Sequence, residues 1–295
     1  MDDRASWRAQ TLGSSRVLEL GEGRRVRAHV TGEGPPVVFV HGALVNANLW
    51  RKVVPRLEGL KRVTLDLPLG SHLEPLPKNV DVSPPALADL IADAVEALDL
   101  DDVTLVGSDT GGGLSQILVT RRPERIGALV LASCDAFDNF PPSLFRIVLA
   151  PARIPGAIPL AFAGLRLRAL RRLPIAYGWL TNEPIDADAE DSYVLPALTS
   201  REVRRDLRRV LARLDPRHTI DAALGLSKFP GPALIAWSAE DRFFPLDHGE
   251  RLAKIIPGAR FERIDGARTF SPEDRPERLA DLIGAFMQNR IGSPV

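Results

Sequence analysis

The sequence predicts an α/β fold, in which a mostly parallel eight-stranded sheet is covered by helices and interrupted by an all-helical insertion. Up to about residue 135, short β-branched apolar runs alternate with longer helical patterns. From there to about residue 228 only helical patterns occur, and the alternation then resumes. The 295 residues suffice for one large domain that carries such an insertion.

Six of the eight predicted strands lie before the insertion. A Gly-Glu-Gly turn separates the first two, which indicates a hairpin at one edge of the sheet. The third and fourth are continuous apolar runs, typical of strands buried on both faces. These six runs are residues 16–20, 25–30, 36–40, 62–67, 103–108 and 126–133.

Helices are predicted between the strands by apolar residues at helical spacing. One helix runs between Ser83 and Leu98, with a serine N-cap followed by proline at the first helical position. After the insertion, strands are predicted at residues 232–237 and 259–264, with a helix at 246–256 between them. The last helix carries an apolar stripe of Leu279, Leu282, Ile283, Phe286 and Met287.

The insertion divides the chain into two predicted domains. Residues 1–135 and 229–295 form the core, and residues 136–228 form a helical cap. One cap helix is predicted to begin with a capping box of Thr199 and Glu202. Its many arginines are interpreted as the solvated face of an amphipathic helix rather than as a nucleic-acid surface, because acidic residues lie close by.

Composition argues against several classes of partner. The formal net charge is +0, so no overall field favours nucleic acid or an anionic membrane. The first ten residues lack an apolar core, so no signal peptide is predicted. The apolar stretch at residues 145–167 contains three prolines and is poor material for a spanning helix. With Cys134 as the single cysteine, we expect a cytoplasmic protein without disulfides.

The segment from Gly107 to Gly111 has the pattern of a nucleophile elbow, in which a sharp strand-to-helix turn projects its central residue above the sheet. The central residue is Asp109, where such elbows commonly hold serine. The helix N-terminus that follows favours an anion at this point. Alternatively, a glycine-rich turn of this kind could serve any doubly wound fold or bind phosphate.

A His-Gly pair, His41 and Gly42, follows the third predicted strand. With this pair and the elbow, the chain resembles the α/β-hydrolase fold superfamily over nearly its whole length. The resemblance implies an oxyanion hole made by the backbone N–H groups of Ala43 and Thr110. It implies for His41 a role in holding the loop, not in transferring protons.

An aspartate at the elbow is typical of epoxide hydrolases and haloalkane dehalogenases within this superfamily. The resemblance implies that Asp109 attacks an sp3 carbon, and that a histidine-activated water cleaves the resulting ester. The supporting acid is assigned to Asp241, after the seventh strand. Glu240 is a competing candidate, and Asp135 at the end of the sixth strand is the reserve.

The general-base histidine of the family pattern is missing. Aligning Phe270 and the following acidic pair places Thr269 where that histidine belongs. Threonine is a poor proton acceptor, and a positioned base is worth about 10² to 10⁴ in rate, so ester hydrolysis is expected to be slow. Glu273 or Asp274 could substitute, although both are expected at the N-terminus of the last helix. Of the other histidines, His72 is expected near the pocket mouth and His248 on a surface helix.

The only two tyrosines, Tyr177 and Tyr193, both lie in the insertion. Epoxide hydrolases use two cap tyrosines to bind the epoxide oxygen, so the resemblance suggests this role, although core packing would explain the tyrosines equally well. Haloalkane dehalogenases usually have tryptophan after the nucleophile and often asparagine after His-Gly. Thr110 and Ala43 stand there instead, which favours the epoxide-hydrolase branch.

Three hypotheses on function follow from these residues. The first is an epoxide-hydrolase-like enzyme with Asp109 as nucleophile and impaired turnover. The second is a pocket protein that binds a small apolar molecule without hydrolysing it. The third is a lyase or cyclase in which Asp109 moves a proton. Neither a metal nor a cofactor is implied, and we expect a monomer or homodimer.

Overall fold

The computed structural model describes residues 9–149 and 157–292 and contains one eight-stranded sheet. Its strand order is β1-β2-β4-β3-β5-β6-β7-β8. β2 is antiparallel to both of its neighbours, and the other pairs are parallel. The strands are β1 Ser14–Glu19, β2 Arg25–Thr31, β3 Pro36–Val40, β4 Lys61–Asp66, β5 Val103–Asp109, β6 Ile126–Cys134, β7 Ala233–Ser238 and β8 Arg260–Ile264.

The predicted fold class is confirmed. Each of the eight strands begins and ends within two residues of the predicted run. The Gly-Glu-Gly turn at Gly21–Gly23 joins β1 and β2 into the expected edge hairpin. β3 and β5 lie side by side at the centre of the sheet, and the side chains of both are almost entirely buried. Two parallel strands that end at the same edge of the sheet therefore carry the His-Gly loop and the elbow.

Helices cover the sheet and fill the insertion. α2, α9 and α11 pack against strands and α1 packs against α2, while six α-helices of the described residues separate β6 from β7, where the all-helical insertion is predicted. The division into core and cap domains remains a prediction. The helices are α1 Pro84–Ala97, α2 Thr110–Arg121, α3 Ser143–Leu149, α4 Ala157–Gly164, α5 Arg168–Arg171, α6 Ala187–Thr199, α7 Arg201–Leu211, α8 Arg217–Gly225, α9 Leu246–Ile255, α10 Ser271–Asp274 and α11 Pro276–Gly292.

The start of α7 differs by one residue from the prediction. Thr199 ends α6, and the N-cap of α7 is Ser200, whose hydroxyl accepts the N–H of Val203 over 3.2 Å. The predicted cap at Thr199 is therefore wrong. Sequence spacing indicated one capped helix here, but the chain makes a break between two helices, and the serine in extended conformation provides the cap.

The described residues contain no helix long and apolar enough to cross a membrane. Residues 1–8, where no signal peptide is predicted, lie outside the described part, as do residues 150–156 of the apolar stretch. Cys134, at the end of β6, is a buried free thiol.

Candidate active site

Asp109 occupies a strained turn between β5 and α2. Its φ is 55° and its ψ is −133°, in a region that residues with a side chain rarely adopt. The turn is possible because a residue without a side chain, Gly111, lies where the neighbouring segment comes closest. A Cβ atom on Gly111 would lie 2.4 Å from the carbonyl oxygens of both Val40 and His41. The glycine pattern of the elbow therefore reflects the close approach of the end of β3 to the start of α2.

The Asp109 carboxyl group lies against the loop that follows β3. A Cβ atom on Gly42 would lie 2.0 Å from Oδ2 of Asp109, so only glycine leaves space for the carboxylate. Burial raises the pKa of Asp109 to about 7, and the negative charge of Asp241 adds to the rise. The backbone N–H and the hydroxyl of Thr110 partly oppose it. Asp109 is therefore ionised in only part of the molecules at neutral pH.

His41 holds the loop in place. Its Nε2 accepts the backbone N–H of Leu67 over 2.9 Å, which leaves Nδ1 to donate to the carbonyl of Gly42 over 2.7 Å. Both ring nitrogens thus bond to backbone, in agreement with a structural role. The loop places Ala43 next to Gly42 beside the elbow, and the roles of the Ala43 and Thr110 amides as oxyanion donors remain a prediction.

Asp241 follows β7 and accepts three hydrogen bonds at one oxygen. Its Oδ1 accepts the N–H groups of Phe243 at 2.8 Å and Phe244 at 2.9 Å, and the hydroxyl of Thr269 at 2.9 Å. Burial raises the pKa of Asp241 to about 6 despite these donors. Asp241 and Thr269 are thus in direct contact, at the positions that the resemblance assigns to the acid and the missing histidine.

The competing acids occupy different environments. Glu240 is exposed, and its carboxylate accepts the side-chain amide of Asn182 over 2.9 Å, away from the buried carboxyl groups. Asp135 directly follows β6 and is only 1% exposed. Burial raises its pKa well above the ordinary value, and the charge of Asp109 raises it further. The structure therefore brings Asp109, Asp135 and Asp241 into one buried group of interacting carboxyls.

Glu273 and Asp274 are both committed to structural contacts. Arg51 binds both oxygens of Glu273, with Nη2 to Oε2 at 2.9 Å. Oδ1 of Asp274 accepts the N–H of Asn182, and its Oδ2 accepts that of Arg268 at 2.9 Å. Both residues end the short helix α10 rather than begin the last helix. Arg51, in the stretch between β3 and β4, has no sequence motif that predicts this role.

His72 and His248 are both buried. His72 is 1% exposed and its Nε2 lies 3.5 Å from Oδ2 of Asp206 in α7, so it joins the insertion to the core instead of lining a pocket mouth. His248 in α9 is 9% exposed and packs edge-on against Phe137, with ring centroids 5.4 Å apart. α9 has an exposed face, as expected of a surface helix, but His248 lies on its buried face against Phe137.

The two tyrosines of the insertion, Tyr177 and Tyr193, have neighbouring rings, with centroids 5.9 Å apart. The Tyr177 hydroxyl donates to the carbonyl of Leu44 over 2.8 Å, and the Tyr193 hydroxyl donates to Oε1 of Glu273 over 3.3 Å. Both hydroxyls thus bind protein acceptors in this structure. To bind an epoxide oxygen, each would have to give up its present partner.

No group of three or more histidine, cysteine, aspartate or glutamate side chains within residues 9–149 and 157–292 is arranged to hold a metal ion. The interactions described above are instead those of carboxyl groups with backbone amides, hydroxyls and one another. Such a site can supply a carboxylate nucleophile and a buried carboxylic acid.

Comparison with known proteins gives sequence matches along most of the chain. The sequence pattern of the alpha/beta hydrolase fold family matches residues 35–276. The chain is 26% identical over 278 residues to the 2-hydroxymuconate semialdehyde hydrolase of Pseudomonas sp. (strain CF600), covering 91% of this chain and 92% of the relative. It is also 26% identical over 260 residues to haloalkane dehalogenase 2 of Mycobacterium tuberculosis, covering 85% and 87%.

Solved structures share the architecture at lower identity. Haloalkane dehalogenase DbeA from Bradyrhizobium elkani superposes with a TM-score of 0.77 at 18% identity, covering 94% of this chain and 98% of that one. A putative lipase from Acinetobacter baumannii gives a TM-score of 0.77 at 17% identity, covering 97% and 94%. At 17% and 18% sequence identity, this likeness shows a shared fold alone.

Proposed function

Because this chain belongs to the alpha/beta hydrolase fold family, we propose that it is a hydrolase in which Asp109 attacks an sp3 carbon of a small organic substrate. The observation that carries the proposal is the carboxyl of Asp109, held at the elbow and pressed against Gly42. A carboxylate needs no base to become a nucleophile, so the ionised fraction of Asp109 can react directly. The product of this first step is an ester between Asp109 and the substrate carbon.

An epoxide is the proposed substrate class. Its strained C–O bond breaks as the Asp109 oxygen forms the new C–O bond, and the alkoxide that leaves remains attached to the same carbon skeleton. An alkyl halide would instead release a halide ion. Thr110 and Ala43 occupy the positions where haloalkane dehalogenases carry tryptophan and asparagine, so the side chains at these positions favour epoxides.

The second step requires a water to attack the ester carbonyl. The Thr269 hydroxyl donates a hydrogen bond to Asp241, and its oxygen is a poor acceptor for a proton from water. A general base is typically worth about 10² to 10⁴ in rate. We therefore propose that the ester on Asp109 lasts long enough to be isolated.

The experiment is intact-mass measurement after incubation with styrene oxide, and separately with 1-bromohexane. The expected result is one adduct from styrene oxide, located on Asp109 by peptide mapping and absent in Asp109→Ala. Asp138→Asn, which changes an exposed carboxyl near the end of β6, is the matched control and is expected to form the adduct normally. The proposal would be contradicted if no epoxide of a wider panel gave either the adduct or the diol.

Proton transfer without hydrolysis is a second candidate, favoured by the pKa of Asp109 of about 7. A group that titrates near the working pH is well suited to act as a general acid or base. Such an enzyme would be a lyase or cyclase that leaves no ester on Asp109. Repeated turnover in ¹⁸O-labelled water separates the two functions, because hydrolysis places the label first on Asp109 and, in later turnovers, in the product, whereas proton transfer without hydrolysis labels neither.

A further inference from the structure

Asp135 lies directly behind Asp109. Its backbone N–H donates to the carbonyl of Asp109 over 3.3 Å, and its own carbonyl accepts the amide of Gln116 over 2.7 Å. A Cβ on Gly113, in the first turn of α2, would lie 3.1 Å from the Cβ of Asp135. The end of β6 and the start of α2 thus fix the side chain beside the elbow.

The Asp135 carboxyl is an unusual group to bury. Within the described residues, neither of its oxygens makes a regular hydrogen bond, although the Thr110 hydroxyl is close enough to lower its pKa somewhat. An ionised carboxylate with so few donors would be costly in the fold interior. Burial, followed by the charges of Asp109 and Asp241, raises its pKa well above the ordinary range. The nearby thiol of Cys134 is kept neutral for the same reasons.

We propose that Asp135 is the proton store of this site, a carboxylic acid that gives up one proton when Asp109 reacts and takes one back when the ester is cleaved. This inference rests on the proposed attack by Asp109. It names a weaker substitute for the missing histidine, so the ester still decays more slowly than it would with a histidine base.

The protons released and taken up balance over the two steps. In the first, Asp109 forms a C–O bond to the epoxide carbon, the ring C–O bond breaks, and the alkoxide receives the proton of Asp135. The site then holds a neutral ester and an ionised Asp135. In the second, water adds to the ester carbonyl and the ester C–O bond breaks. One water proton goes to the departing alcohol and the other to Asp135, which restores ionised Asp109 and protonated Asp135.

The change of charge on Asp109 determines when Asp135 releases its proton. Before the reaction, the negative charge of Asp109 favours the protonated form of Asp135. Once Asp109 is an ester, that repulsion is gone and the carboxylate of Asp135 becomes easier to form. The Thr110 hydroxyl donates to Oδ1 of Asp109 over 3.5 Å and also lowers the pKa of Asp135, so we assign it the relay of the proton.

Other carboxyl groups are less suited to this role. Asp241 already binds three donors at Oδ1, and Glu273 is paired with Arg51 and Lys52. Asp274 accepts hydrogen bonds at both oxygens. Asp135 is therefore the carboxyl in the described part of the chain that combines full burial, few donors and direct backbone contact with Asp109.

The test uses Asp135→Asn with styrene oxide and follows the Asp109 adduct by intact mass after acid quenching. We expect the adduct to form more slowly, because the alkoxide must take its proton from water, and then to decay at least about 100-fold more slowly than in the wild type, as for loss of a general base. Asp138→Asn is the control and is expected to decay at the wild-type rate. Thr110→Ser, which keeps the hydroxyl, is expected to decay faster than Thr110→Val.

Infrared spectroscopy tests the stored proton without any substrate. The folded wild-type protein at neutral pH is expected to show a buried carboxylic-acid carbonyl band that is lost in Asp135→Asn and kept in Asp138→Asn. An unchanged band in Asp135→Asn would overturn the inference, as would adduct decay at the wild-type rate. If no protein forms an adduct, the proposed function fails on its own, and the infrared band alone decides whether Asp135 stores a proton.

Discussion

The Thr269 hydroxyl donates a 2.9 Å hydrogen bond to Oδ1 of Asp241, the atom that also accepts the N–H groups of Phe243 and Phe244. In the Ser-His-Asp arrangement, the acid accepts an N–H from a histidine whose second nitrogen takes the proton of the attacking group. Threonine can make the first of these contacts but lacks the second nitrogen. Oδ1 of Asp241 is thus occupied by three donors, although none of them can act as a base.

Thr269→His is expected to speed decay of the Asp109 adduct by roughly 10² to 10⁴, because imidazole can accept a proton while bonded to Asp241. The measurement is the adduct lifetime after styrene oxide is removed. Thr269 is fully buried, so the larger ring is expected to cost about 1 to 3 kcal/mol of stability.

Thr269→Val is the control for this change, since it removes the hydroxyl without adding a base and is expected not to shorten the lifetime. Circular dichroism and a thermal melt establish that each variant is folded. A folded Thr269→His protein whose adduct decays as slowly as that of the wild type would show that position 269 is not the vacant base position.

Asp109→Asn is expected to stabilise the protein increasingly as the pH rises. The pKa of Asp109 is raised from 3.8 to about 7 by burial and by Asp241, so the folded state holds this proton more tightly than the unfolded state. The cost of ionising it is absent below about pH 4, grows through the interval and is complete above about pH 7. At 1.36 kcal/mol per pKa unit the difference is up to about 4 kcal/mol.

Thermal melts of wild type and Asp109→Asn between pH 4 and pH 8 measure this difference directly. Asp138→Asn, which changes an exposed aspartate, is expected to track the wild type at every pH. A constant difference in Tm between Asp109→Asn and wild type across the range would mean that the pKa of Asp109 is not raised.

Sequence was a reliable guide to the fold because the strands of this sheet are either continuous apolar runs or simple edge strands. The β3 and β4 runs, which predict strands buried on both faces, do lie side by side inside the sheet. Local signals were weaker in the insertion, where Thr199 and Ser200 are chemically similar as caps. Only the break between α6 and α7 decides between them.

The candidate site was predictable where it depends on short motifs and not where it depends on distant contacts. Glycine spacing identified the elbow at Asp109, because close backbone packing requires glycine at fixed positions along the chain. The Arg51–Glu273 pair joins residues 222 positions apart and leaves no such mark. The burial of His72 likewise results from its pairing with Asp206 across the insertion, which spacing along the chain cannot indicate.

Gly42→Ala is expected to abolish adduct formation on Asp109. The added Cβ would lie 2.0 Å from Oδ2, 2.4 Å from Cγ and 2.5 Å from Cβ of Asp109, so the carboxyl or the loop must move. Adduct yield from styrene oxide measures the loss. Gly284→Ala, in the interior of α11, is the control. Its added Cβ would contact a methyl group of Leu57 at 3.9 Å, and alanine stabilises helices by up to about 1 kcal/mol relative to glycine. Normal adduct formation by Gly42→Ala would contradict the observed contact.

Arg51→Ala is expected to destabilise the protein by about 3 to 5 kcal/mol, because it leaves the buried carboxylate of Glu273 without its main partner. Arg51 also binds Asp186, at the start of α6, so its loss should loosen the insertion from the core. Urea denaturation gives the free energy of unfolding. The matched control is Arg56→Ala, which breaks an ion pair to Glu277 in which both side chains are largely exposed, and which is expected to cost less than about 1 kcal/mol. Equal losses in the two variants would mean that Lys52, 3.0 Å from Glu273, is enough to hold the buried carboxylate.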